Sequence, residues 1–361
     1  MRFRQISLQN FRNLALVSAE MAGRRHFLTG ANGQGKTNFL EAAGLVTALR
    51  SFRGADPRTM IAFGQPQADA AFVLEHEQLG ESRLTLTLTP KGKAVAWEQT
   101  NVARLADVIG KFPTVVLSSN DNQFLRGAPS VRRRWFDLTL AAMDPEYLAA
   151  LQSYHRALAE RNSLLKTHGS PAELAAFERE MAGPAAILVA KRQAGAAELD
   201  GFFLAAHARL VPEGETAGLA YVPDEVIASA EQMFASLAQA RSRDHLLKTT
   251  EHGPHRDDLE LGLNGRPAKQ YASEGQQRCL VIALRLAQSA YFKAKSGVTP
   301  VLLCDDVLGE LDPVRRARFW ASLDGEPQVI ATGTSPPERD GSEWQVFRVA
   351  AGAITAGTKS A

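Results

Sequence analysis

Near the start of the chain, Gly30-Ala31-Asn32-Gly33-Gln34-Gly35-Lys36-Thr37 carries the spacing G-x-x-x-x-G-K-T. Glycines at these intervals let the backbone curl until successive N–H groups point inward at an anion. The helix expected to begin near Lys36 adds its positive end to the same site. Lys36 would reach the β- and γ-phosphates of a nucleotide, and the Thr37 hydroxyl, with Asn38 next to it, would face Mg²⁺ and the remaining phosphate. The alternative is a glycine turn that happens to contain Lys-Thr. The strand and helix patterns on either side favour the phosphate loop.

Two further groups of residues suit the same chemistry. Val301-Leu302-Leu303-Cys304 is an apolar strand that runs into Asp305-Asp306. Adjacent carboxylates repel, and a divalent cation relieves that repulsion. Asp305 is expected on the metal side and Asp306 beside the attacking water, although two turn-forming aspartates at a solvated strand end would look alike. The second group is Ser273-Glu274-Gly275-Gln276-Gln277-Arg278, ahead of the apolar run Cys279 to Ala290. Ser273 and Gln276 have the spacing of a capping box, which is a sufficient structural explanation. Gly275 in a first helical turn nevertheless costs up to about 1 kcal/mol relative to alanine, and it allows another molecule close to the backbone. Ser273, Gly275 and Gln276 are thus a candidate second phosphate surface. Asp312-Pro313 reads as a helix start, with Asp312 as the cap.

Positioning these groups requires strands and helices in a definite order. His26 to Thr29 is a short strand entering the loop, and Phe39, Leu40, Ala43, Val46 and Leu49 follow at helical spacing. Leu84, Leu86 and Leu88 alternate with threonines before a turn at Pro90 to Lys93, predicting a hairpin. Thr114 to Leu117 is a buried strand. From about Val131 to Leu247 the sequence turns rich in Ala, Leu, Glu and Arg. Leu151, Tyr154, Leu158, Asn162 and Leu165 lie near one helical face, and 185–203 is a second helical block. The clearest breaks fall at 211–214 and at Gly253-Pro254. The last third alternates again: a helix over 275–295, a strand over 301–304, a helix after Asp312 and a strand over 329–331.

The 361 residues hold 45% hydrophobic and 22% charged residues, enough to build a full core and to exclude a disordered chain. Lys+Arg 41 against Asp+Glu 39 leaves a net charge of +2, so binding to nucleic acid requires a local basic patch. Arg126, Arg132, Arg133 and Arg134 cluster in this way, and Arg156 and Arg161 lie on the inserted helices. The competing expectation is that one of the adjacent arginines pairs with Asp137 and the rest are solvated. No aromatic–basic interleaving suggests base stacking, so contact would be with the DNA backbone. The 2 cysteines, Cys279 and Cys304, both sit in apolar stretches and suit a reducing compartment. No run is long enough to span a bilayer, and the expectation is a cytoplasmic protein with no membrane partner.

Taken in order, these motifs resemble the RecF family of DNA-repair ATPases, which belongs with the ABC-type ATPases and is related to chromosome-maintenance proteins. The resemblance runs over nearly the whole chain. It includes Ile6 to Asn13, Pro129-Ser130-Val131-Arg132-Arg133, Arg161-Asn162-Ser163-Leu164-Leu165, Gly253-Pro254-His255-Arg256-Asp257-Asp258, Ser273 to Arg278, and Asp305-Asp306 with Glu310-Leu311-Asp312. It implies an α/β fold: an ABC-type ATPase head made of residues 1–120 and 251–361, with a mostly helical lobe, 121–250, inserted. It implies that Lys36 and Thr37 bind ATP and Mg²⁺, that Asp306 is the catalytic carboxylate, and that Ser273 meets nucleotide held by a second protomer near the Asp312 loop. The partners it implies are gapped, double-stranded or single-stranded DNA, RecO and RecR, and indirectly RecA, around an ATP-dependent homodimer.

Departures from the family pattern are also visible. Glu274 stands where Gln or Arg is usual, placing a carboxylate beside the serine. Ser118-Ser119-Asn120-Asp121-Asn122 departs from Ser-Pro-Glu-Asp, which leaves Gln123 as the candidate metal-sensing residue. Thr332-Gly333-Thr334 offers no histidine for the γ-phosphate, so slow hydrolysis is expected. Two other readings stay open at this point, a nucleotide-sensing scaffold with negligible turnover and the ATPase of a membrane transporter.

Overall fold

The computed structural model describes residues 1–211, 214–323, 325–335 and 343–357. Pro212 and Glu213, inside the first expected break, lie outside them. Val301–Asp305 and Thr114–Ser118 are buried at every position, the pattern of parallel strands covered on both faces. With Arg25–Thr29, Val329–Gly333 and Gln345–Ala350 they form a parallel sheet, and Ala353–Ala356 closes one edge antiparallel. Across the sheet the order is 353–356, 345–350, 25–29, 329–333, 301–305, 114–118. The strand entering the phosphate loop and the acidic strand therefore flank Val329–Gly333, and the carboxyl ends of all three open on one edge. That edge is where α/β sheets bind ligands.

A second, antiparallel sheet runs in the order 14–20, 2–11, 68–76, 80–89, 92–97, 100–101. Leu84, Leu86 and Leu88 are buried and the threonines between them face outward, as the alternation predicts. Thr89 pairs with Gly92 and Leu84 with Trp97, so the expected hairpin forms around Pro90 and Lys91. The inner face of this sheet contributes Phe3, Ile6, Phe11, Phe72 and the three leucines to a core shared with Phe39, Leu40 and Val46 of the loop helix Lys36–Ala48.

The chain divides into two compact units, one of residues 1–121, 209–212 and 282–361, the other of 122–208 and 213–281. The expected boundary at 250/251 thus moves to 281/282. Residues 251–281 belong with the inserted unit because Asp258–Leu263 pairs antiparallel with Ala217–Val222 along its whole length. The strand Ala217–Val222 lies within the mostly helical insertion. No helix among the described residues is long and apolar enough to cross a membrane.

The inserted unit is built on Pro129–Met143, Pro145–Thr167, the 40-residue helix Pro171–Leu210 and Ala230–Leu247. Its interior carries arginines as well as apolar side chains. Arg161 is fully buried; it lies 2.7 Å from Asp244 and 2.7 Å from Thr250, and also donates to Glu178. Arg192 is held by Asp137, by Asp257 and by the Pro254 carbonyl, while Tyr147 and Tyr221 donate to the same two carboxylates. The Gly253-Pro254-His255-Arg256-Asp257-Asp258 stretch is the meeting point, since Asp258 also takes both arms of Arg132 at 2.7 Å.

Three DNA candidates are corrected by these contacts. Arg161 is an internal ion-pair partner with no exposed surface. Arg132 is buried against Asp258, and Arg133 donates to the Asp257 carbonyl at 2.6 Å. Asp137, expected to take one of the arginine run, is occupied by Arg192 instead. Among the candidates, Arg126, Arg134 and Arg156 have exposed side chains.

Breaking a buried ion pair from one side leaves an uncompensated charge, which costs about 3–5 kcal/mol. Arg161→Ala is therefore expected to lower the urea midpoint of the chain, by the shift that this free energy divided by the m-value gives. An unchanged midpoint would refute the buried network.

Candidate functional site

The phosphate loop joins Arg25–Thr29 to the helix Lys36–Ala48. A side chain at Gly30 would bring its Cβ to 2.2 Å from the Val349 carbonyl oxygen of the neighbouring strand. Gly35 caps the helix at φ 117°, a conformation that L side chains rarely adopt, with Leu14 and Asn13 packed against it. Lys36 is buried and folds back over the loop, its ammonium donating to the Gly30 carbonyl at 2.6 Å and the Ala31 carbonyl at 3.1 Å. Gln34 is fixed from outside by the Ala351 N–H, 2.7 Å from its side-chain oxygen.

Thr37, in the first turn, donates to Asp305 Oδ1 at 2.9 Å. The two residues that the sequence assigns to a metal are thus neighbours. Thr332 Oγ1 donates to the same oxygen at 3.0 Å and accepts the Asp306 N–H at 3.0 Å. Asp306 itself sits at φ 57°, a left-handed conformation that turns the chain sharply as it leaves the strand. Burial pushes the Asp305 carboxyl above the usual range, opposed by the hydrogen bonds from Thr37 and Thr332 and reinforced by the charge of Asp306. A hydroxyl beside a buried carboxylate whose charge is costly is the hard-oxygen donor set that Mg²⁺ takes. Thr332 was not singled out by sequence for this role; the available signal was a hydroxyl ending the apolar run Val329-Ile330-Ala331.

A second set of contacts missed by sequence joins the loop to the turn after the first strand. Glu41 is fully buried on the loop helix and accepts two hydrogen bonds from Arg12, at 2.8 and 2.9 Å. Next to it, Asn13 donates to the Gly33 carbonyl at 3.3 Å and accepts from Asn38 at 2.8 Å, while Arg53 reaches Asn38 at 3.0 Å. A cleft of about 570 Å³ opens there, bordered by Arg12, Asn13, Asn38, Thr59, Phe63 and Gln65. That volume lies in the range of small-molecule sites. An acid on an otherwise apolar helix face was the only sequence signal.

Of the other candidates, Gln123, Arg126, Ser273 and Gln276 lie in the inserted unit and Asp312 in the unit that holds the phosphate loop. Gln123 opens the short helix Gln123–Arg126. Ser273 and Gln276 form the expected capping box, with Ser273 N–H to Gln276 Oε1 at 2.8 Å and Gln276 N–H to Ser273 Oγ at 3.3 Å. Gln276 also donates to Glu215 at 2.8 Å, which fixes its amide. Arg126, a DNA candidate, is instead paired with Glu274 at 2.8 Å. Asp312 caps Pro313–Ala321 through the Arg315 N–H at 2.9 Å, as expected. Asp121, in the departing Ser118 to Asn122 segment, is clasped by both arms of Arg285 at 2.6 and 3.0 Å.

Comparison with known proteins gives the family and the fold. Residues 2–337 match the family described as RecF/RecN/SMC N terminal domain. A protein of Geobacter metallireducens named DNA replication and repair protein RecF is 35% identical over 337 residues, which cover 91% of this chain and 92% of that one. Its namesake in Nostoc punctiforme is 34% identical over 372 residues, 98% and 99% of the two chains. Among solved structures, the recombination mediator protein RecF-ATP of the RecFOR pathway aligns with a TM-score of 0.90 at 27% identity, covering 99% of this chain and 97% of that one. An Smc head bound to the C-winged helix domain of ScpA aligns at a TM-score of 0.57 and 15% identity, covering 100% and 98%, a likeness of fold alone. The fold is that of an ABC-type ATPase head.

The raised Asp305 carboxyl fixes the sign of a linked effect. Its protonated form is favoured in the folded protein, so stability is greatest below the unfolded carboxyl pKa and falls as pH rises through the folded value. Asp305→Asn is therefore expected to raise Tm at neutral pH without nucleotide, while weakening Mg²⁺-dependent binding of a fluorescent ATP analogue at least about tenfold. Thermal melts and titrations at pH 7 test the two halves, and a lowered Tm would contradict the assignment.

Proposed function

The chain belongs to the RecF family of DNA replication and repair proteins, and from that premise we propose that it is an ATP-dependent DNA clamp with slow hydrolysis. The observation that carries this reading is the Thr37–Asp305–Thr332 cluster, which sets a buried carboxylate against the phosphate loop. Loop N–H groups and Lys36 bind the phosphates of ATP, and Asn38 lies beside them at the mouth of the cleft, which takes the nucleoside. Thr37 and Asp305 would hold Mg²⁺, which supplies charge neutralisation at the phosphate oxygens when bound. Asp306 orients the attacking water and takes its proton. Without a histidine on the strand beyond Thr332, the γ-phosphate has one fewer donor, and turnover is slow.

Ser273 and the N–H groups of its helix start serve a second copy of the chain. They meet the γ-phosphate of that copy's ATP, so that ATP closes a head-to-head dimer and hydrolysis reopens it. The Asp312 loop lines the same contact. DNA is held through its backbone, with the exposed Arg134 and Arg156 as candidates. The substrate is gapped or junction DNA, the partners are of the RecO and RecR type, and the outcome is loading of the recombinase RecA in the cytoplasm. RecF proteins and the RecFOR pathway named among the relatives support this placement; nothing in them favours a transporter.

Binding to gapped duplex DNA with and without Mg-ATP tests the coupling. Mg-ATP is expected to tighten binding at moderate salt, and Lys36→Met to abolish the gain. Binding indifferent to ATP in the wild type would remove the clamp reading.

Asp306→Asn distinguishes an ATPase from a scaffold with negligible turnover. Loss of a general base lowers the rate about 10²–10⁴-fold, and the variant should accumulate as an ATP-locked dimer in size-exclusion chromatography. Equal, minimal turnover in both proteins would instead support the scaffold.

A further inference from the structure

The turn that presents Ser273 contains an electrostatic conflict. Glu274 follows the serine directly and is the first residue of the helix Glu274–Ser296. A carboxylate there favours the helix, because it faces the positive end of the helix dipole. The same carboxylate opposes any phosphate brought to Ser273, since its full charge outweighs the partial charge of the helix end. What stabilises the element locally therefore works against the anion it is to receive.

Arg126 resolves the conflict. It stands at the end of Gln123–Arg126, and its Nη2 donates to Glu274 Oε1 at 2.8 Å while its Nε donates to Gln277 Oε1 at 3.1 Å. One guanidinium thus grips two residues of the first turn, on either side of Gly275 and Gln276. Gln277 is itself tied to the Ala272 carbonyl at 3.0 Å, so the fork is held at both ends of the turn. The Arg126 side chain remains 49% exposed and that of Glu274 72%, so the pair faces solvent and an approaching molecule. The carboxyl of Glu274 is held below its usual range by the hydrogen bond and charge of Arg126, with a smaller contribution from Arg278.

We propose that Arg126 is a positioning residue that neutralises Glu274 and thereby lets the Ser273 turn accept the γ-phosphate carried by a second copy of the chain. The proposal rests on the clamp reading above. It assigns Arg126 to ATP-driven association rather than to DNA, and it makes a carboxylate beside the serine compatible with closure. The role is electrostatic, so the defect of an Arg126 variant must disappear when the Glu274 charge is removed.

The test uses the full chain as wild type, Arg126→Ala, Glu274→Gln and the double variant, with ATPγS and Mg²⁺ in sedimentation velocity. Arg126→Ala is expected to weaken association about three- to tenfold at low salt, and less at high salt, where exposed charges are screened. Glu274→Gln should associate at least as tightly as wild type, and the double variant within about twofold of it. Binding of a fluorescent ATP analogue to the monomer, and Tm, should be the same for all four proteins. A double variant as weak as Arg126→Ala would show that the arginine acts through Gln277 or the fold, and an undiminished Arg126→Ala would show that it does nothing; either result overturns the proposal. A wild type that fails to associate with ATPγS would remove the clamp reading itself, and the proposal with it.

Discussion

Asp305 is buried at the end of an apolar strand, where ionisation is costly, and among the described residues the hydroxyls of Thr37 and Thr332 donate to it. Neither Thr37 nor Thr332 carries charge, so the carboxylate is solvated without being neutralised. The strand order follows from this constraint. For Thr37 and Thr332 both to reach one oxygen, Arg25–Thr29 and Val301–Asp305 must flank Val329–Gly333 with their carboxyl ends level, as they do. A unit assembled from both ends of the chain thereby gains a buried carboxylate whose charge a cation would relieve.

The inserted unit solves the opposite problem. Arg161 and Arg192 are among the largest fully buried side chains, and each is met by at least two carboxylates or hydroxyls. Such networks add little net stability over apolar packing but are costly to break from one side. Their partners come from distant segments: Asp244 lies 83 residues beyond Arg161, and Asp257 lies 65 beyond Arg192. They therefore fix which segments pack together, and they draw residues 251–281 into this unit.

The same distinction explains what was legible in the sequence. The phosphate loop, the alternating hairpin, the Asp312 cap and the Ser273–Gln276 box are set by neighbours within a few residues, and all appear where their spacing places them. The fate of each arginine was not legible, because the partner of a long cationic side chain is chosen by tertiary contact. Arg132, Arg161 and Arg126 have the same local appearance as solvated helix charges, yet two are buried and the third serves Glu274. The role of Thr332 and the Arg12–Glu41 pair are illegible for a related reason: a single polar residue in an apolar run carries no periodicity to read.

The two units are joined in part by unbroken helical backbone. The loop, Asp305 and Asp306 belong to one unit, and Ser273, Glu274 and Arg126 to the other. Two continuous helices pass from one to the other, Pro171–Leu210 and Glu274–Ser296. Each is fastened inside the nucleotide-binding unit: Leu210 accepts from Arg318, and Arg285 holds Asp121 just beyond the strand that pairs with Val301–Asp305. An α-helix transmits displacement along its axis because its backbone bonds are all internal. A displacement of Asp121 beside the acidic strand would therefore be passed through Arg285 to the part of this helix that lies in the same unit.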